Sequence, residues 1–114
     1  MNESSVVLTP IPQADGNVKN RPVIVLRALP PYHDLLVCGV STQLQQHVRN
    51  FDEFIVASDG DFSASGLRAD SLIRLGFLAV LPRQRVLGSI GSVSPERHKR
   101  LLKRLSDFLV QEPH

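Results

Sequence analysis

Arg21-Pro22-Val23-Ile24-Val25-Leu26 is a short, largely β-branched run with loop signals on either side, and it predicts a buried strand. Upstream, Gln13-Ala14-Asp15-Gly16-Asn17 reads as a turn-rich loop. Before it, Val6-Val7-Leu8 is broken by Thr9-Pro10-Ile11-Pro12, and proline has no amide proton for a sheet ladder, so this segment predicts an edge strand or a strand end. Downstream, Pro30-Pro31 ends the unit. Asp34-Leu35-Leu36-Val37-Cys38-Gly39-Val40 then forms a second buried strand, close enough to the first for a hairpin.

Residues 51–57 predict a third strand, and Asp59-Gly60-Asp61 with Ser65-Gly66 mark a polar loop after it. Ser71-Leu72-Ile73-Arg74-Leu75 is strand-like, is interrupted at Gly76, and resumes over residues 77–81; residues 85–90 add another short strand. A helical turn is expected within residues 43–49. The strong helix signal comes last. Ser94 is a good N-cap, Pro95 suits the first helical position, and Glu96 complements the positive helix end. Leu101, Leu102, Leu105, Phe108 and Leu109 then make one apolar stripe before Pro113. Short strands with one terminal helix predict a mainly β fold: a small, partly open barrel whose edges are covered by the helix or by a second copy.

The 114 residues, 42% hydrophobic and 21% charged, read as one globular domain spanning residues 1–114. No apolar run approaches the roughly 20 residues of a membrane span, and Met1-Asn2-Glu3-Ser4-Ser5 does not open like a secretion signal. The single cysteine, Cys38, excludes an internal disulfide and a cysteine-built zinc site, so a reduced, cytoplasmic setting is expected. The net charge is only +2, but it is unevenly placed. Acids gather at Asp52, Glu53, Asp59 and Asp61; bases gather over residues 83–104, where Glu96 is the only acid. This basic run reads first as a solvated helix face and second as a nucleic-acid footprint.

Metal chemistry is not expected: His33, His47, His98 and His114 are scattered and read as exposed loop or helix residues. No Gly-x-Ser-x-Gly elbow and no phosphate-binding glycine loop occur. What remains lies at strand ends. Arg21 stands at the mouth of one buried strand, Ser41-Thr42-Gln43 follows another, and Arg74 sits inside an apolar strand. Hydroxyls and guanidiniums at adjacent strand ends make a phosphate cradle, because arginine donates two parallel bonds to phosphate oxygens. Taken singly, each has a plain structural reading: a salt bridge at a loop entry, a turn-capping hydroxyl and an outward-facing strand residue.

In chain order these pieces resemble the PemK/MazF-type ribonuclease toxins. Lys19-Asn20-Arg21-Pro22-Val23-Ile24-Val25-Leu26 resembles that family's Arg-Pro strand, and Val37-Cys38-Gly39-Val40-Ser41-Thr42-Gln43 its hydroxyl-Gln segment. Gly66-Leu67-Arg68-Ala69-Asp70-Ser71-Leu72-Ile73-Arg74 resembles its Gly-Leu-x-x-Asp-Ser-x-x-Arg segment, and Gly88-Ser89-Ile90-Gly91-Ser92-Val93-Ser94 its lead into the last helix. The resemblance implies an SH3-like barrel of the CcdB/PemK/MazF type with a C-terminal helix, paired as a homodimer. It also implies metal-independent and cofactor-free cleavage of single-stranded RNA to a cyclic phosphate, blocked by an acidic cognate antitoxin, with operator DNA met only through the antitoxin complex. Arg21 would stabilise the phosphorane charge and protonate the leaving group, Ser41 would bond the scissile phosphate, and Arg74 would supply a second cation. Lys19, Thr42 and Gln43 would join Arg21 and Arg74 in holding RNA.

The sequence departs from the family where an acid is common two residues after the strand arginine: that position is Gly76. Asp70, Asp34 and His33 are the candidate substitutes. The family's Arg-Thr-x-Asp-Lys stretch reads Ala79-Val80-Leu81-Pro82-Arg83, and its basic-Gly-Asp opening is missing before Val6. Two rival readings follow: a barrel that binds nucleic acid or an antitoxin peptide with little turnover, and, ranked last, a CcdB-like gyrase poison. The latter branch ends in a Trp-containing tail, whereas this chain has no Trp.

Overall fold

In the computed structural model, which describes residues 2–12 and 14–113, the unbroken apolar run Val23-Ile24-Val25-Leu26 is central to the sheet. The strands are β1 (Ser5–Pro12), β2 (Val18–Leu29), β3 (Asp34–Ser41), β4 (Glu53–Ile55), β5 (Ser71–Leu81) and β6 (Gly88–Ser92). They form one curled half-barrel in the order β4-β5-β3-β2-β1-β6, with every neighbouring pair antiparallel. A short helix, α1 (Phe62–Ser65), leads into β5, and α2 (Pro95–Leu109) closes the chain.

Around the middle of β2 both faces of the sheet are buried, which is why Val23 to Leu26 read as a continuous apolar run. Ile24 and Leu26 join Val6, Cys38, Val40, Ile73 and Leu75 beneath Leu101 and Leu105 of α2. Val23 and Val25 face the other way, with Val7, Leu35 and Val37. Cys38 is fully enclosed, and burial pushes its thiol up to about 12. The ladders skip residues at Val6/Val7, Val25/Arg27 and Cys38/Gly39, and such bulges bend strands and raise their twist.

Several expectations need correction. β1 is not broken at Pro10 but continues to Pro12; its first half is interior rather than an edge, and the prolines fall at its end, as one of the two expectations had it. The prolines are tolerated because β6 pairs only with Ser5 to Leu8; beyond that point one side of β1 has no ladder to complete. The strand expected over residues 51–57 shrinks to β4, and residues 85–90 split between a 3₁₀ turn at Arg83–Arg85 and β6. The turn expected within residues 43–49 is a 3₁₀ turn at Leu44–Gln46. Helix α2 starts as expected, with Ser94 Oγ accepting the Arg97 amide, but its apolar stripe outruns the core: Phe108 and Leu109 are exposed. Phe108 sets its ring against Phe51, ring centre to ring centre at 5.0 Å. Gln13 and His114 lie outside the described residues, and His98 is not exposed but donates from Nε2 to the Leu26 carbonyl at 2.8 Å.

The basic run is only partly a solvated face: Arg83, Arg85, Lys99 and Lys103 are exposed as expected, whereas three helix arginines reach the acids. Arg97, 5% exposed, bonds Glu53 (2.9 Å), Asp61 (2.8 Å) and Asp59 (3.1 Å), and Arg100 and Arg104 also turn onto Glu53. Three of the acids noted in the sequence, Glu53, Asp59 and Asp61, are therefore the seats of the helix arginines. Burial alone would raise the pKa of Asp61, but bonds from Arg97 and the Ser94 amide outweigh it and hold this carboxyl down at about 2. Removing one partner from such a buried cluster strands the others, so Arg97→Met is expected to destabilise the fold by roughly 3–5 kcal/mol in urea unfolding. Because the folded pKa of Asp61 is below its ordinary 3.8, its contribution is present above about pH 4 and lost as pH falls toward 2. Asp61→Asn is expected to flatten stability across that acid window.

Candidate functional site

Antiparallel pairing gathers four segments that are distant in sequence. The end of β1 lies beside the start of β2, with Thr9 opposite Arg21; the start of β2 lies beside the end of β3, with Val23 opposite Gly39. Across β3, Ser41 faces Leu72 and Gly39 faces Arg74 of β5. The result is an open groove of about 300 Å³, walled by Ile11, Pro12, Arg21, Pro22, Ser41, Thr42, Gln43, Arg74 and Phe77, among others.

Five of the six candidate residues thus share one groove. Arg21 is exposed at its mouth, and Arg74 is half-buried in its wall. Ser41 Oγ accepts the Gln43 amide at 3.0 Å, which holds the oxygen in place, and a hydroxyl that accepts one bond can still donate another. The Gln43 side chain is steadied by Gln45 Nε2, which donates to its Oε1 at 2.9 Å. Lys19 is the exception: it lies on the exposed opening of β2, opposite Ile11, and does not line the groove.

The groove lining holds two guanidiniums and, among the described residues, no Asp, Glu or His. None of the three substitutes for the missing acid reaches it. Asp70 Oδ1 accepts the Ala57 amide at 2.9 Å; Asp34 begins β3 at the end opposite Ser41; His33 turns with positive φ, its carbonyl held by Arg83 Nε at 3.2 Å. Gly76 itself is exposed, and a Cβ there would meet nothing nearer than Phe51 Cε2 at 3.8 Å, so a side chain fits. No group of three or more His, Cys, Asp or Glu side chains among the described residues is arranged to hold a metal.

One residue of the site's support escaped the sequence reading. In the β3–β5 ladder Cys38 pairs with Leu78 while Gly39 pairs with Arg74, so Leu75, Gly76 and Phe77 have no opposite number in β3. The Leu75 amide, deep in the core, would be an orphan donor. Asp52, 3% exposed, takes it on Oδ1 at 3.0 Å and takes the Val48 amide on Oδ2 at 3.0 Å. One carboxylate thereby ties the bulge beside Arg74 to the segment that follows Gln43. In the sequence Asp52 is merely one acid in an acidic cluster, and no spacing distinguishes it.

The fold is a curled antiparallel half-barrel closed by a C-terminal helix, with a basic groove at the strand ends. A family model described as PemK-like, MazF-like toxin of type II toxin–antitoxin system matches residues 3–109. The chain belongs to that family. Among solved structures, one described as an endoribonuclease in complex with its cognate antitoxin, from a mycobacterial species, superposes with a TM-score of 0.66. The two are 12% identical, the match covers 99% of each chain, and at that identity the likeness establishes the fold. Comparison with curated protein sequences gives no significant match.

Asp52→Asn replaces one acceptor oxygen by a donor, leaving an amide of the pair unsatisfied. It is expected to lower stability by about 1–3 kcal/mol and to speed hydrogen exchange at Leu75 or Val48 while distant β2 amides keep their protection.

Proposed function

We propose that this protein is an endoribonuclease toxin of a type II toxin–antitoxin system, one domain over residues 1–114, which cuts single-stranded messenger RNA in the cytoplasm without a metal. The observation that carries this reading is the convergence of Arg21, Ser41 and Arg74 on one groove. The ribose 2′-oxygen attacks the adjacent phosphorus, the bond to the 5′-oxygen breaks, and a 2′,3′-cyclic phosphate and a 5′-hydroxyl remain. Arg21 takes the growing charge on the non-bridging oxygens through two parallel N–H bonds and passes a proton to the leaving oxygen. Ser41 donates its hydroxyl to the scissile phosphate, and Arg74 adds the second cation. Thr42 and Gln43 hold neighbouring parts of the chain, with Lys19 steering from outside the groove.

With no carboxylate or imidazole among the described lining residues, water accepts the 2′-proton and cleavage is slow. Losing one acid–base participant lowers a rate by about 10²–10⁴-fold. The same observation favours the second reading, a barrel that binds RNA or antitoxin with little turnover. The antitoxin is an acidic, partly disordered chain that lays carboxylates where RNA lays phosphates, so salt weakens it. A homodimer accords with the exposed apolar side chains Leu78 and Val80 of β5, and sedimentation at micromolar concentration tests it.

Labelled RNA incubated with pure protein and EDTA is expected to be cut at the parent rate, and Arg21→Ala to abolish cutting. Arg21→Lys keeps the charge but loses the fork, so it is expected to fall nearly as far. Parent-rate cleavage by Arg21→Ala would overturn the site. Gly76→Asp is expected to raise the single-turnover rate, provided that its carboxylate reaches Arg74; a parent already fast, with no gain, would show that the acid has no part here.

A further inference from the structure

The ladder skip between β3 and β5 puts an aromatic ring where the reaction needs none. Phe77 ends the three-residue bulge, lines the groove with Arg21 and Arg74, and is 39% exposed. Its ring lies directly against Gly39: a Cβ at that position would stand 2.9 Å from Phe77 Cδ1 and 3.2 Å from Cγ. The absence of a side chain at Gly39 thus makes the seat, and Asp52, by holding the Leu75 amide at 3.0 Å, fixes the backbone that delivers the ring. Supported from beneath and behind, the ring gives up little freedom on binding. A phenyl group has no donor or acceptor for phosphate or ribose, but every nucleobase has a π-face, and stacking on an aromatic side chain is a sequence-tolerant way to grip single strands.

We propose that Phe77 is the stacking platform for a nucleobase next to the phosphate held by Arg21 and Arg74. This rests on the reading of the groove as an RNA site and adds its substrate-gripping element. Two guanidiniums alone recognise any polyanion, whereas the ring beside them selects an unpaired base, since a base inside a duplex has no free face to offer. The ring sets affinity for single strands rather than the chemistry of the cut.

The chain has no tryptophan, so Phe77→Trp installs a unique fluorophore at the site. The probes are a mixed-sequence single-stranded DNA, which lacks the 2′-hydroxyl and is not cut, and an abasic strand of the same length and charge. Quenching of Trp by the base-bearing strand but not by the abasic one is the expected result. Phe77→Leu is expected to weaken the base-bearing strand by about 5–100-fold and leave the abasic strand unaffected, while Phe77→Tyr restores binding. On cleavable RNA, Phe77→Leu is expected to act mainly on KM. Equal loss for both strands, or a loss that tracks dissociation of a dimer in sedimentation, would make the ring a protein contact and overturn the proposal. A protein that binds neither strand overturns it together with the ribonuclease reading. Base-dependent quenching without RNA cleavage supports the platform while removing the ribonuclease.

Discussion

Leu75, Gly76 and Phe77 have no partners in β3, and a buried amide in that gap must find an acceptor. The carboxylate of Asp52 supplies it. An orphaned buried N–H would weaken the sheet at its centre, so this one acceptor lets β5 carry extra residues without losing its place in the core. On one side of the skip, Arg74 is opposite Gly39 and reaches the groove; on the other, Leu78 returns to its place opposite Cys38. The other Asp52 oxygen secures the Val48 amide, so the loop beyond Gln43 and the bulge share one anchor. The two walls of the groove are therefore mechanically one unit.

The arrangement of charge follows a similar economy. Arg97 sits among three carboxylates, and Glu53 in turn receives Arg97, Arg100 and Arg104. A buried cluster of this kind contributes modest net stability against well-packed apolar residues, but it tolerates no missing member. Its chief consequence is spatial. Three arginines of the most basic stretch, Arg97, Arg100 and Arg104, hold α2 against the acids of the sheet side, while Arg21 and Arg74, unremarkable in a charge count, line the open groove.

The fold was legible where local physics and tertiary context agree. The buried run of β2, the cap at Ser94 and the helix after it follow directly from side-chain type and spacing. The prolines of β1 mark a strand end as expected, but that the strand runs on through them depends on how far β6 extends, which no local pattern encodes. The candidate groove was legible through Arg21, Ser41 and Arg74, since strand ends next to each other in an antiparallel sheet can be paired from their order in the chain. Three things were not. Asp52 acts across a register skip of long range, Lys19 falls outside the groove although it is near Arg21 in sequence, and the acids at Glu53, Asp59 and Asp61 acquire meaning only from a helix about forty residues later.

Cys38 occupies the middle of β3, one residue before the glycine under the Phe77 ring, and is sealed from solvent with its thiol protonated. Alkylating and oxidising reagents attack the thiolate, so they reach it only when the central strand parts from its neighbours. The sole sulfhydryl is thus a built-in clock for opening of the sheet. At reagent concentrations where labelling outruns reclosing, its rate reads the kinetic persistence of the folded toxin, with no mutation and no denaturant.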